Sequence, residues 1–122
     1  MIAYITLGTQ DIDRAAKFYD ALLADIGAGR IMQDDTFIAW ATAPNAPALS
    51  VIKPADGNAQ SVGNGVMVAL AAQSKEQVHT LHAKALALGG ADEGAPGPRG
   101  EGFYAGYFRD LDGNKLNVVY MG

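Results

Sequence analysis

The chain describes one unit twice, and that repetition limits the folds open to it more than any other feature. Tyr4, Asp11, Phe18 and Gly27 have counterparts in Met67, Ser74, Leu81 and Gly90, each pair 63 positions apart. The apolar run Ala3-Tyr4-Ile5-Thr6-Leu7 matches Val66-Met67-Val68-Ala69-Leu70. Further on, Phe37–Thr42 and Leu49–Ile52 match Tyr104–Arg109 and Leu116–Val119, now 67 positions apart. A duplicated unit brings equivalent positions to equivalent places, so matched polar or aromatic residues are the first candidates for a site. Within 122 residues, each half alone would bury too little surface to be safely stable, so the halves must pack on each other or on those of a second copy.

Each half reads as strand, helix and three strands. Residues 2–8 alternate and are rich in β-branched side chains. Asp11 caps a helix running to about Ala24, with Ile12, Ala15, Ala16, Tyr19, Leu22, Leu23 and Ile26 as its apolar stripe and Gly27 as its stop. Short strands follow at about 30–33, 36–42 and 48–53. In the second half, Gly65–Ala71 forms the opening strand. Ser74 and Gln77 form a capping box, and the helix continues through Val78, Leu81, Ala85 and Leu88. A weak strand near 91–95, a Gly/Pro loop at 96–102 and strands at 103–109 and 115–120 complete the unit. Asp110-Leu-Asp-Gly-Asn114 is the closing turn, with Gly113 and Asn114 expected to supply positive φ. Module one is thus about 1–53, the linker about 54–63 and module two about 64–122.

Parity then assigns faces. Each helix covers one face of its own sheet. If both hairpins close through symmetric five-residue turns, Trp40 lies opposite Ser50 and Tyr107 opposite Asn117. The face away from the helices then collects Tyr4, Thr6, Ile38, Trp40, Ser50, Ile52, Met67, Ala69, Ala105, Tyr107, Asn117 and Val119. Its walls are aromatic and aliphatic with a few hydrogen-bonding tips, the composition of a small-molecule pocket. Tyr4, Thr6, Trp40, Ser50, Met67, Tyr107 and Asn117 are the candidate ligand-binding residues.

Other constellations are weaker. His79 and His82 are three apart on the second helix with no third ligand beside them; one is expected to face solvent, the other to be partly buried and hydrogen-bonded. Asp34-Asp35 reads as a solvated turn, and Ser50 has no predictable triad. Gly94–Gly100 is turn chemistry, since Pro98 removes a donor that a phosphate cradle would use. The loop at 96–102, charged at Arg99 and Glu101, is a candidate lid.

Composition narrows the partners. The net charge of −4 without a Lys/Arg cluster argues against nucleic acid. The absence of cysteine suits a reducing cytoplasm and excludes thiolate chemistry. No apolar run is long enough for a bilayer, and no leader is recognisable at Met1, so no membrane partner is expected.

The doubled βαβββ unit, the segment Asp11-Ile-Asp-Arg-Ala-Ala-Lys-Phe-Tyr19 and the closing Asp110-Leu-Asp-Gly-Asn-Lys-Leu116 resemble the vicinal oxygen chelate superfamily. That group includes glyoxalase I, bleomycin-resistance proteins and extradiol dioxygenases. The resemblance implies an α+β fold: two modules form a cupped, mostly antiparallel eight-stranded sheet with helices outside, often as a homodimer, with the ligand in the cup. Metal-dependent members bind a divalent ion through side chains on the first and last strands of each half. Those positions here are Tyr4, Ser50, Met67 and Asn117. Phenol, alcohol, thioether and amide suit such an ion poorly, so neither metal nor cofactor is expected. The favoured expectation is a metal-free protein holding a small aromatic or amphipathic molecule, for which bleomycin-resistance relatives are the nearest model. The alternatives are a metal-dependent lyase or isomerase of the glyoxalase type acting on a vicinal-oxygen substrate, and a pure dimerisation domain.

Overall fold

Sequence repetition becomes structural repetition in the computed structural model, which describes residues 1–122. The chain separates into two compact units, Met1–Ser61 and Val62–Gly122. In the first, β1 (Tyr4–Gly8) leads into α1 (Ile12–Ala24), then β2 (Gly29–Gln33), β3 (Phe37–Ala41) and β4 (Ala48–Ile52). In the second, β5 (Val68–Ala71) leads into α2 (Lys75–Ala87), then β6 (Ala91–Pro98), β7 (Tyr104–Arg109) and β8 (Lys115–Tyr120). The eight strands lie in two four-stranded sheets, ordered β1-β4-β3-β2 and β5-β8-β7-β6. Each sheet is mixed. The helix returns the chain after the first strand, so that strand runs parallel to the last, while the other pairings are antiparallel hairpins.

Capping fixes where the helices start. The Asp11 side chain accepts from Arg14 N–H at 3.0 Å, and Ser74 accepts from Gln77 N–H at 3.1 Å. Gln77 reaches back one residue further than an ideal capping box, accepting from Gln73 N–H at 2.8 Å. Helix α1 buries Ile12, Ala15, Ala16, Phe18, Tyr19, Leu22 and Leu23 against its sheet. Helix α2 buries Val78, Leu81, His82 and Ala85. Gly106 has no side chain where the His82 ring packs: a Cβ there would lie 3.1 Å from the imidazole Cδ2 and 3.1 Å from Pro96.

Three expectations are corrected. The strand read as 91–95 extends to Pro98, so the expected loop begins only at Arg99. Its pairing with β7 is irregular, shifting between Asp92 and Gly94 and again before Gly97. In the closing turn Gly113 alone takes positive φ, at 86°; Asn114 is held instead by Asp110. The Asp110 carboxylate accepts from the N–H groups of Asp112 and Asn114, both at 2.9 Å, and from the Asn114 side-chain amide at 3.0 Å.

The third correction concerns faces in the first unit. Trp40 pairs with Leu49 rather than Ser50, and Ile38 pairs with Val51. The connection from Ala41 to Ala48 holds six residues rather than five, and one extra residue inverts every side chain of β3. Phe37 and Ala39 therefore take the face assigned to Ile38 and Trp40. The second unit keeps the expected register, with Tyr107 opposite Asn117 and Ala105 opposite Val119.

Candidate functional site

In the first unit the face away from α1 is built by register. Thr6, Ser50 and Ala39 form one row across β1, β4 and β3, and Ala39 faces Met32 on β2. Here lies a groove of about 560 Å³, lined by residues that include Tyr4, Thr6, Ile31, Met32, Phe37 and Ile52. Tyr4 and Phe37 meet edge to face, ring centroids 6.0 Å apart. Polar groups are sparse. Thr6 offers a hydroxyl and Asp34 a carboxylate. Thr36 donates to that carboxylate through its backbone N–H, at 2.8 Å, and its hydroxyl, at 3.1 Å. These bonds hold Asp34 below the usual carboxylate range. Ser50 shares the face without lining the groove; it is 0% exposed and its Oγ has no hydrogen-bond partner.

Trp40 is not part of this surface. It stands on the α1 side, 1% exposed, with its ring 5.6 Å from that of Tyr19 and its indole N–H donating to Asp20 at 2.8 Å. The same carboxylate takes two bonds from Arg30, at 2.9 and 2.6 Å. The arginine lowers the Asp20 pKa, the indole adds to the effect, and partial burial opposes both.

In the second unit Tyr107 and Asn117 are cross-strand neighbours, and Ala69 flanks Asn117 on β5. Asn117 is 1% exposed, and neither Oδ1 nor Nδ2 has a partner. Ser50 and Asn117 are thus matched positions in the repeat, each a buried polar side chain left without a protein partner, a rare condition that often marks a place where something else binds. Met67 precedes β5 and, with Arg109 and Lys115, borders a depression of about 460 Å³. The histidines fall as expected. His79 is exposed beside the Tyr104 hydroxyl, at 2.5 Å. His82 is buried, its Nε2 lying 3.1 Å from the Tyr107 carbonyl and 3.2 Å from Asp92. A carbonyl can only accept, so His82 Nε2 carries the hydrogen.

Sequence reasoning missed Ile31, Met32 and Phe37 as lining residues. Phe37 was missed because no residue declares that the 42–47 connection is six residues long, and nothing in the sequence marks the bulge in β2 between Arg30 and Met32.

A family of duplicated βαβββ units is indicated by this architecture, and the comparisons identify it. The model of the Glyoxalase/Bleomycin resistance protein/Dioxygenase superfamily matches residues 1–118, and the chain belongs to that superfamily. A glyoxalase/bleomycin resistance protein from Albidiferax ferrireducens is 35% identical with a TM-score of 0.89, the match covering 98% of this chain and 97% of that one. A hypothetical protein from S. aureus is 25% identical with a TM-score of 0.76, covering 98% and 92%. A superfamily enzyme from Burkholderia phytofirmans shares the fold at 18% identity and a TM-score of 0.78, covering 98% of both chains. No functionally curated protein matches the chain.

The superfamily implies a divalent ion, and the residues at the implied positions do not fit one. Tyr4, Ser50, Met67 and Asn117 supply no carboxylate and no imidazole, while hard and borderline cations require charged oxygen or nitrogen. Nowhere in the chain do three or more His, Cys, Asp or Glu gather in a group that could hold a metal.

Proposed function

We propose that this chain is a superfamily member that works without a metal, binding a small aromatic or amphipathic molecule on the faces turned away from its helices. The observation carrying this reading is the groove of about 560 Å³ walled by Tyr4, Phe37, Met32 and Ile52 with few polar groups. Volume and composition both suit a small organic molecule. Thr6 and Asp34 supply the orienting groups of this groove, and the matching face of the second unit carries Tyr107 and Asn117. The reading includes a second copy as partner, supported by exposed apolar residues outside the groove such as Ile2, Val62, Val66 and Met121, and a cytoplasmic setting, supported by the lack of cysteine. No helix is long and apolar enough to cross a membrane.

The test pairs metal analysis with thermal shift. Protein incubated with Ni²⁺, Zn²⁺ or Mn²⁺ and then desalted should retain well below one ion per chain. A panel of small aromatic compounds should include some that raise the melting temperature, and Phe37→Ala should weaken them about tenfold through lost apolar contact. Stoichiometric retained metal, or methylglyoxal–glutathione turnover abolished by EDTA, would replace this reading with the metal-dependent enzyme. No stabilising compound in the panel would leave only a dimerisation domain.

A further inference from the structure

The second unit contains an arginine placed unlike its neighbours. Arg99 follows β6 and folds back along it, donating through Nη2 to the Ala95 carbonyl at 2.7 Å and through Nη1 to the Pro98 carbonyl at 3.3 Å. Its guanidinium stands over the Tyr107 ring, 5.5 Å from the centroid. Two glycines make room. A Cβ at Gly97 would lie 3.0 Å from Nη1, and one at Gly94 would lie 3.4 Å from Nη2. Arg30 holds Asp20 and Arg109 holds Glu93, whereas the hydrogen bonds of Arg99 go to neutral carbonyl oxygens.

A second cation shares the ring. Lys115 places its ammonium 5.6 Å from the Tyr107 centroid. Glu93, engaged with Arg109, lies close enough to Lys115 for their charges to interact, so Arg99 is the less compensated of the two. Gly106 contacts His82 on the α2 side, which puts its neighbour Tyr107 on the opposite face. Asn117 stands across the ladder from Tyr107. Its amide is buried and has no partner for either polar atom, and Lys115 also borders the depression of about 460 Å³.

We propose that Arg99, Lys115, Tyr107 and Asn117 form a recognition point for the anionic group, carboxylate or phosphoryl, of a small ligand. A guanidinium presents N–H donors in a planar fork that matches either group. The bonds from Arg99 to neutral carbonyls lack the ion–ion attraction that a carboxylate or phosphoryl group adds, so an anion can compete with those carbonyls for the guanidinium donors. Lys115 adds charge, Tyr107 a flat wall, and the Asn117 Nδ2–H₂ group a neutral donor. The proposal extends the reading above by assigning a charge to the ligand, and rests on it only in taking this face as ligand-facing.

The experiment is a titration of the ¹³C,¹⁵N-labelled chain at low salt, following the Arg99 Nε–H, the Asn117 side-chain amide and the methyl groups of Ile31, Met32 and Ile52 by NMR. Benzoate or phenylphosphonate should shift the Arg99 and Asn117 signals to saturation, and the better binder identifies the group as carboxylate or phosphoryl. Inorganic phosphate should compete only if it is phosphoryl. Arg99→Gln and Lys115→Gln should each weaken the anion about tenfold, while Arg99→Lys should recover part of the loss. Arg99 is exposed and Lys115 half-buried, so a cooperative thermal transition close to the parent's is expected and will show that these variants remain folded. The proposal fails if neither anion moves these signals, if Arg99→Gln binds as tightly as the parent, or if neutral benzyl alcohol moves them equally. Benzyl alcohol shifts confined to the Ile31, Met32 and Ile52 methyls would support the apolar groove whatever the anions do. Failure of every compound, benzyl alcohol included, to move those methyls would sink the groove reading alone.

Discussion

Trp40 shows how one side chain can hold an element in place. Its indole N–H and the Arg30 guanidinium converge on Asp20, so a residue of α1 is bonded to both β2 and β3. Trp40→Phe removes one hydrogen bond from a fully packed site and should cost about 1–2 kcal/mol in urea unfolding, with groove binding unchanged. A binding loss larger than the stability loss would mean that the indole faces the ligand after all. Asp20 also sets a pH limit. Its folded pKa is depressed, chiefly by Arg30, so its stabilising contribution is complete above the unfolded carboxyl value of about 4 and disappears as pH falls through the lower folded value. Asp34 and Glu93 are depressed as well, by Thr36 and Arg109 respectively, and act in the same direction. The melting temperature should stay nearly level from pH 7 to about 5 and fall below about 4. Asp20→Asn should flatten part of that acid limb while lowering stability at neutral pH.

At the scale of elements, local chemistry was legible wherever a side chain answers its own backbone. Asp11 and Ser74 announce the helix starts, and Asp110 announces the turn it closes. The closing turn should therefore be costly to disturb. Asp110→Ala leaves the buried Asn114 N–H and its side-chain amide without their acceptor and should destabilise the chain by about 2 kcal/mol, measured by chemical denaturation. Gly106→Ala drives a methyl toward His82 and Pro96 and should cost about 1–3 kcal/mol through overpacking. Legibility ended where parity depends on a count that no residue declares. Pro44, Asn45 and Pro47 announce a turn but not its length, and a six-residue connection reverses the face of β3. Similarly, Gly94, Pro96, Gly97 and Pro98 have loop composition yet pair with β7, because an outer strand tolerates bulges and missing donors.

For the whole molecule, duplication made the family evident, and the face shared by Tyr4, Thr6 and Ser50, like that shared by Tyr107 and Asn117, followed from the repeat. The groove did not. It depends on Phe37 and Met32, which the corrected register and the β2 bulge bring to the same face, and neither can be read from spacing alone. The apolar residues left exposed bear on assembly: light scattering after size exclusion should give a mass near twice 12.7 kDa at micromolar concentration, and a strictly monomeric species would remove the second copy from the proposed function.

The two hairpins are closed by unequal means, which has a practical use. The carboxylate of Asp110 clamps 110–114 from within, while the 42–47 connection has a single internal backbone bond, from Ala46 N–H to the Ala43 carbonyl at 3.1 Å. Lengthening the first should unseat its strands; a tag or fluorophore-bearing peptide grafted into the second breaks no such clamp, and because Pro44 and Ala46 border the groove, it would report on the groove rather than on the closure of the chain.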